Sequence, residues 1–338
     1  MEAAIIEEFF KKGKLLTPEA LGLLENGYEY RYTKELIVKQ DSLEKTKITN
    51  MVEVGEYVTT NDIIAQINKK YEKMKAIISS RLSKNFVSIN NLQKGDVFLI
   101  GVVKEINGNK IELEDPTGVL IINIESRVEL DDVIAISGFF DGFQVIKAVV
   151  LFPDVPIRTP KKTQGKICIA TGLDFKDAPE TYTEKFFDWF SQSEAKTLIA
   201  IGKLDETAVK IYERTCKDKK MIFIRQEYPN KGNETGNANI LIPSNPCTID
   251  INGIKILAAS DFTLDNLRKR QFKHPKIPCQ PLVIEEVPDI VVYNTPYEPQ
   301  ITNYKSITFV NTGSILANFK PVIIDLSTRE AEQKTLVF

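Results

Sequence analysis

Imidazole is the scarcest chemical group in this sequence: His274 is the only histidine among 338 residues. Zinc enzymes with several histidine ligands and binuclear metal hydrolases need more imidazoles than that. The one present sits in Lys273-His274-Pro275, a loop-like context. The four cysteines, Cys168, Cys216, Cys247 and Cys279, each stand more than thirty residues from the next. No zinc ribbon or redox pair is therefore spelled out, and so sparse a set reads as thiols kept in a reducing interior. A basic run, Arg268, Lys269 and Arg270 with Lys273, could meet a phosphate backbone. Its plainer reading is a solvated helix end, where cations face the negative pole of the helix dipole. Trp189, the sole tryptophan, stands among Phe186, Phe187 and Phe190. That grouping reads as core, with a partner-binding hot spot as the alternative.

The elements that must position such groups are constrained by composition. The chain is 43% hydrophobic and 27% charged, enough apolar residue at this length to bury a core without disulfides or metal. Lys+Arg 44 against Asp+Glu 46 leaves a net charge of −2. A nucleic-acid coat acting through overall charge is excluded, while local basic patches remain open. Met1–Leu21 is acidic and amphipathic, without the basic flank and apolar run of a signal peptide. No stretch of eighteen apolar residues occurs. The expectation is a cytoplasmic protein with no membrane partner and no cofactor.

Three segments differ in period. Residues 1–83 read as a mainly helical module. Ile5, Ile6, Phe9 and Phe10 recur at helical spacing, Thr17-Pro18-Glu19 is a helix start, and Ile63, Ile64, Ile67, Tyr71, Met74, Ile77 and Ile78 trace one apolar face. Residues 84–157 switch to strands: Val97–Val103, the Asn107-Gly108-Asn109 turn, alternating Lys110–Glu114, the Asp115–Gly118 turn, then Val119–Ile122, Val133–Gly138 and Phe143–Ile146. Five short antiparallel strands in seventy residues point to an OB-fold barrel. Such barrels bind single strands through aromatics and a basic groove, but the candidates here are only Phe98, Phe139, Phe140 and Phe143. The Pro-rich stretch Pro153–Pro160 marks a boundary. Residues 158–338 alternate strands and helices before turning strand-rich, the pattern of an α/β sandwich with mixed sheets.

In this order the segments resemble the small (B) subunit family of replicative DNA polymerases, and within it the small subunit of the archaeal D-family polymerase. The residues that carry the resemblance are Ile242-Pro243-Ser244-Asn245-Pro246, Leu264-Asp265, Val287-Pro288-Asp289-Ile290 and Val310-Asn311-Thr312-Gly313-Ser314. The resemblance implies a multidomain α+β fold: a small helical N-terminal module, an OB-fold and a calcineurin-like phosphoesterase sandwich. In active relatives, Asp, His and Asn at the strand ends hold two metal ions. Carried over position by position, the acid and histidine of the first motif become Thr171 and Leu173, with Asp174 adjacent. The bridging acid of the second becomes Lys203, and the third falls at Gln226 and Glu227. A lone histidine becomes Ser260, and the last histidine pair becomes Thr295 and Tyr297. A lysine at 203 would repel metal ions and could stand in for them as an internal cation.

The resemblance therefore implies a member without catalysis or metal, acting as an accessory subunit that binds a catalytic large subunit or another replication protein, nucleoid-associated when in complex. Two other readings follow from the residues. One is a stand-alone single-strand-binding OB-fold. The other is a 3′–5′ exonuclease holding metal on carboxylates alone, through Asp174, Asp205, Glu227 and Asp261.

Overall fold

The computed structural model describes residues 46–52, 59–232, 239–272, 282–295 and 298–336. Two compact units share them. Met1–Lys47 with Asp250–Asn252 form one, described only at Thr46, Lys47 and Asp250–Asn252. Ile48–Ile249 with Gly253–Phe338 form the other, which carries the site considered below. Most of the expected N-terminal helices, together with Lys273, His274, Cys279 and Tyr297, lie outside the described residues.

Helix α1, Thr60–Leu82, opens on a capping box. Thr59 Oγ1 accepts the Asp62 amide at 3.2 Å, and the Asp62 carboxylate accepts the Thr59 amide at 2.8 Å. Two otherwise orphaned donors are satisfied reciprocally. Tyr71, Met74 and Ile78 are buried with Val133 and Ala135, while Ile63, Ile64 and Ile67 are exposed. The single apolar face expected from residue 61 onward is thus packed only along its second half, where there is a wall to receive it.

That wall is a five-stranded sheet of β2 (Gly95–Asn107), β3 (Lys110–Asp115), β4 (Gly118–Asn123), β5 (Val133–Phe140) and β6 (Val145–Leu151), ordered β4-β3-β2-β5-β6 and antiparallel throughout. Its turns follow local chemistry. Gly108 takes φ +62 between β2 and β3, where a side chain would be strained. Asp115 Oδ1 accepts the amides of Thr117 and Gly118 between β3 and β4. All five strands send residues into one core, among them Leu99, Leu113, Ile122, Ile136 and Val150. This is the filled interior of an OB-type barrel.

The third part holds two more sheets. One contains β7 (Lys166–Asp174), β8 (Thr197–Lys203), β9 (Lys220–Arg225), β10 (Ile240–Leu241), β16 (Val322–Asp325) and β17 (Ala331–Gln333), in the order β10-β9-β8-β7-β16-β17. The other contains β1 (Thr46–Asn50), β11 (Cys247–Ile251), β12 (Ile254–Ala259), β13 (Ile290–Tyr293), β14 (Gln300–Tyr304) and β15 (Ile307–Asn311), in the order β1-β11-β12-β13-β15-β14. Alternate residues face opposite sides of each strand. Cys168, Ala170, Leu198, Ala200, Met221 and Phe223 pack under α2 (Glu180–Gln192) and α3 (Glu206–Thr215), with Phe186, Phe187, Phe190 and Tyr212. Ile167, Ile169, Ile199, Ile201, Ile222 and Ile224 on the opposite side are also fully buried. Strands covered on both faces read as unbroken apolar runs, as these do. Trp189 is half-buried against Phe186, at 6.0 Å between ring centroids, so the core reading of the aromatic cluster holds.

The molecule thus has the multidomain α+β fold implied by the resemblance, an OB-type barrel with a phosphoesterase-type α/β sandwich. Among the described residues, no helix is long and apolar enough to cross a membrane.

Candidate functional site at the strand ends

Two parallel pairs, β7 with β8 and β8 with β9, bring their C-terminal ends to one rim, where open α/β sheets place their ligands. The β7 end carries a bulge: Thr171 pairs with Ile201, but Leu173 pairs with Gly202. Gly172 sits in the slip at φ +66, and a Cβ there would lie 2.5 Å from Gly313 O. Only glycine fits. The extra residue reverses the alternation. Leu173, expected at a histidine position, therefore turns into the core beneath α2 and is fully buried. Asp174 comes into register beside Lys203 instead.

Thr171 occupies the expected acid position and is fully buried in a neutral network. Its Oγ1 donates to Asn311 Oδ1 at 3.1 Å and accepts the Thr312 amide at 2.9 Å, and its own amide donates to Thr312 Oγ1 at 2.6 Å. Asn311 Nδ2 donates to Thr295 Oγ1 at 2.9 Å. The first and last motif positions are therefore joined by uncharged hydrogen bonds running from one sheet to the other. A second knot forms around Asn245. Its Nδ2 lies 2.8 Å from Arg225 O and 2.9 Å from Glu227 O, and its Oδ1 accepts the Ser260 amide at 3.1 Å. It fixes the loop holding Gln226 and Glu227 against Ser260.

Sequence reasoning gave Asn245, Asn311 and Thr312 no site role. Their segments, Ile242–Pro246 and Val310–Ser314, were nonetheless among the residues that carry the resemblance. The structure brings Thr171 and Thr295 together, and Gln226, Glu227 and Ser260 together.

Lys203 is the one cation named by the motifs, and its Nζ pairs with Asp177 Oδ2 at 2.8 Å. The Asp177 hydrogen bond, then the charges of Asp174 and Asp177, hold its ammonium above the usual lysine range. The same bond depresses the Asp177 carboxyl. Burial pushes the Asp174 carboxyl up, against the pull of Lys203. Two metal ions do not fit these residues. The position expected for the first ligand holds Thr171, buried in a neutral hydrogen-bond network, and the one expected for the bridging acid holds the cation Lys203. Among the described residues, no group of three His, Cys, Asp or Glu is placed to hold a metal ion. Of the four carboxylates considered for such a site, Asp205 instead caps α3, accepting the Ala208 amide at 2.8 Å.

The basic run is corrected by its surroundings. Helix α4, Leu264–Lys269, ends at Arg270 in the left-handed conformation. Lys269 Nζ is buried against Asp132 Oδ2 of the barrel at 2.7 Å, with Asp265 at 3.2 Å. Burial opposes its charge, and the Asp132 and Asp265 carboxylates outweigh that and raise it. Arg270 is buried as well, donating from Nε to Ile284 O at 2.7 Å and from Nη2 to Glu285 O. Neither side chain is presented to a phosphate, and Arg268 is the exposed one of the three. Arg268 and Lys269 line a cleft of ≈ 600 Å³ with Arg127, Phe152 and Phe272. The described thiols, Cys168, Cys216 and Cys247, are free and buried, and burial pushes all three up, Cys216 to about 12. They are unreactive at neutral pH.

The arrangement defines a protein with a phosphoesterase-type sandwich whose strand-end rim is organised by neutral hydrogen bonds and a lysine. No family model matches the chain. Its curated relatives are more particular. It is 25% identical, over 93% of its length and 82% of theirs, to the DNA polymerase II small subunit of Archaeoglobus fulgidus, and 22% identical, over 92% and 86%, to that of Thermoplasma acidophilum. Its likeness is thus to archaeal DNA polymerase small subunits, the resemblance its motifs carry. Solved structures that cover half of it include a novel archaeal phosphodiesterase (17% identity, 99% of that chain, TM-score 0.38) and a Vps29 mutant from Entamoeba histolytica (9% identity, 99% of that chain, TM-score 0.31).

Proposed function

We propose that the chain is a non-catalytic accessory subunit of a DNA polymerase or of a related replication or repair complex. It binds the catalytic large subunit through its barrel and its phosphoesterase-like sandwich. The observation that carries this reading is the strand-end rim. The apolar strands, the bulge and the loop knots that would present a metal site persist, while its ligand positions hold Thr171, Leu173, Lys203, Ser260 and Thr295. A scaffold kept without its chemistry is kept for its surfaces, and the polymerase small-subunit relatives supply the partner class. The single-strand-binding alternative draws little from the barrel. Phe98 is half-buried, edge-on to Phe86 at 6.4 Å, and Phe139 and Phe140 are half-buried too, which leaves Phe143 as the exposed ring.

The test is affinity purification of the tagged protein from its own cells, at moderate salt with nuclease present, followed by mass spectrometry. A polymerase large subunit recovered in near-equal amount is the expected result. Recovery of the protein alone would overturn the proposal and make single-strand binding the next question.

A further inference from the structure

The outside of the barrel is apolar over more of its surface than α1 covers. Under α1, the outward-facing Ile100, Val102, Val133 and Ala135 are buried against Tyr71, Met74 and Ile78. At β4 and β6, the two edge strands of the sheet, the outward positions are bare. Val119 and Ile121 on β4 are 51% and 63% exposed, and Ile146 and Val149 on β6 are 37% and 54% exposed. These strands lie side by side where the barrel closes, and among the described residues no backbone ladder joins them. Four β-branched side chains thus face water where a sheet with one solvated face carries polar residues. At the β5–β6 tip, Phe143 is 93% exposed. Asp141 Oδ1 fixes that turn by accepting the Phe143 and Gln144 amides at 2.8 and 2.9 Å. A contiguous apolar patch beside a rigidly held ring marks an interaction surface.

Its charges select the partner. The second and third strands of an OB barrel, with the hairpin between its fourth and fifth, form the face that takes oligonucleotides. Single strands need aromatic rings and cations there, yet β3 and β4 carry no aromatic residue. Register sets Glu112 of β3 between Glu105 of β2 and Ile121 of β4, so two like charges stand directly opposite each other. Glu114 is answered by Lys104 at 2.9 Å. Among the described residues Glu112 has no such answer, and neither Lys110 nor Lys147, the other cations on these strands, pairs with it. We infer that this face docks a basic, apolar-rich segment of a partner protein. Val119, Ile121, Ile146 and Val149 receive its apolar side chains, Phe143 anchors one end, and Glu105 and Glu112 take a cation between them. The same two carboxylates repel a phosphate backbone. The inference rests on the accessory-subunit reading for the identity of the partner, the catalytic large subunit, and assigns the barrel's share of that contact.

The experiment takes the tagged full chain from its own cells and measures the large subunit recovered with it. The wild type is compared with Ile121→Ser/Val149→Ser and with Glu105→Gln/Glu112→Gln. Both variants change exposed side chains and should melt within about 3 °C of the wild type. The first should lose the large subunit about tenfold or more, and the second about threefold. A photo-crosslinking residue, Ile121→benzoylphenylalanine, should capture a large-subunit peptide rich in Lys or Arg among apolar residues. Should the first variant fail to fold, Phe143→Ser replaces it under the same expectation. Undiminished recovery by either variant, with the wild-type complex intact, overturns the inference and leaves the accessory-subunit reading standing. A wild type that recovers no large subunit overturns both. Capture of an acidic peptide overturns the inference too. So does a labelled oligothymidylate, or a second copy of the chain, that binds the wild type and is released by Ile121→Ser/Val149→Ser.

Discussion

Thr171 shows how much a single side chain at the rim can hold. Its hydroxyl serves Asn311 and the Thr312 amide at once, in a site closed to water. Thr171→Val keeps the shape and removes both bonds, so a buried amide is left unpaired. The expected loss is about 1–3 kcal/mol in urea unfolding. Thr171→Asp, which would return the acid of the metal-binding pattern, puts a charge in the same enclosure and should cost more than the valine. The neighbouring ion pair responds to pH in a stated direction. Asp177 is depressed from 3.8, so its stabilising contribution is present above 3.8 and is lost as pH falls through its lower folded value. Lys203 is raised from 10.5, so its contribution is present below 10.5 and is lost as pH rises through its higher folded value. The difference in melting temperature between the wild type and Asp177→Asn should accordingly be flat across neutral pH and shrink below pH 3.8. A difference that instead changes around neutrality would place another group in control.

At the scale of elements, legibility follows from how local the determinant is. The alternating run Lys110–Glu114 and the turns at Asn107–Asn109 and Asp115–Gly118 are written in adjacent residues and appear as drawn. The doubly buried strands β7, β8 and β9 are equally readable, because burial on both faces leaves unbroken apolar runs; the half-exposed β14 is not. The bulge at Gly172 was not readable. A glycine inside an apolar strand is ambiguous until Gly313 is seen to approach it, and that one inserted residue moved Leu173 out of the rim and Asp174 into it. The same non-locality hid Asn245 and Asn311, whose neutral side chains carry no chemical signature and matter only through the strands they join. Helix α1 repeats the lesson, since periodicity cannot say where the packing wall ends. Met74 is fully buried and Ile64 is half exposed on the same helix. Met74→Ala should cost about 2–5 kcal/mol, and Ile64→Ala should stay within about 0.5 kcal/mol, both measured by chemical denaturation. Equal costs would mean that the first turns of α1 are packed as well.

At the scale of the whole molecule, barrel and sandwich are joined by buried polar contacts as well as apolar ones. Lys269 and Asp132 pair across the seam, and beside them Gln271 Oε1 accepts the Val133 amide at 3.3 Å. Val283 from the sandwich segment packs into the cluster of α1 and the barrel, and Arg81 Nε donates to Asp154 O at 2.6 Å. These contacts explain why the basic run could not be read as a nucleic-acid surface. The residue types suit phosphate, yet Lys269 binds the two parts of the protein to each other and Arg270 is buried on carbonyls of the sandwich segment. A buried pair adds little over an apolar replacement but is expensive to break on one side. Lys269→Met strands the Asp132 carboxylate and should cost about 3–5 kcal/mol, and adding Asp132→Leu should return much of that loss. Calorimetry gives the sharper readout. If the seam couples the barrel to the sandwich, the wild type melts in one transition, and Lys269→Met splits it into two or advances one shoulder. Lys269 is raised from 10.5, so its contribution holds below 10.5 and fades as pH climbs through the raised value. The wild type should then come to resemble Lys269→Met only at strongly alkaline pH. A single unbroken transition in Lys269→Met, with no change in stability, would mean that the apolar contacts around α1 hold the two parts together unaided.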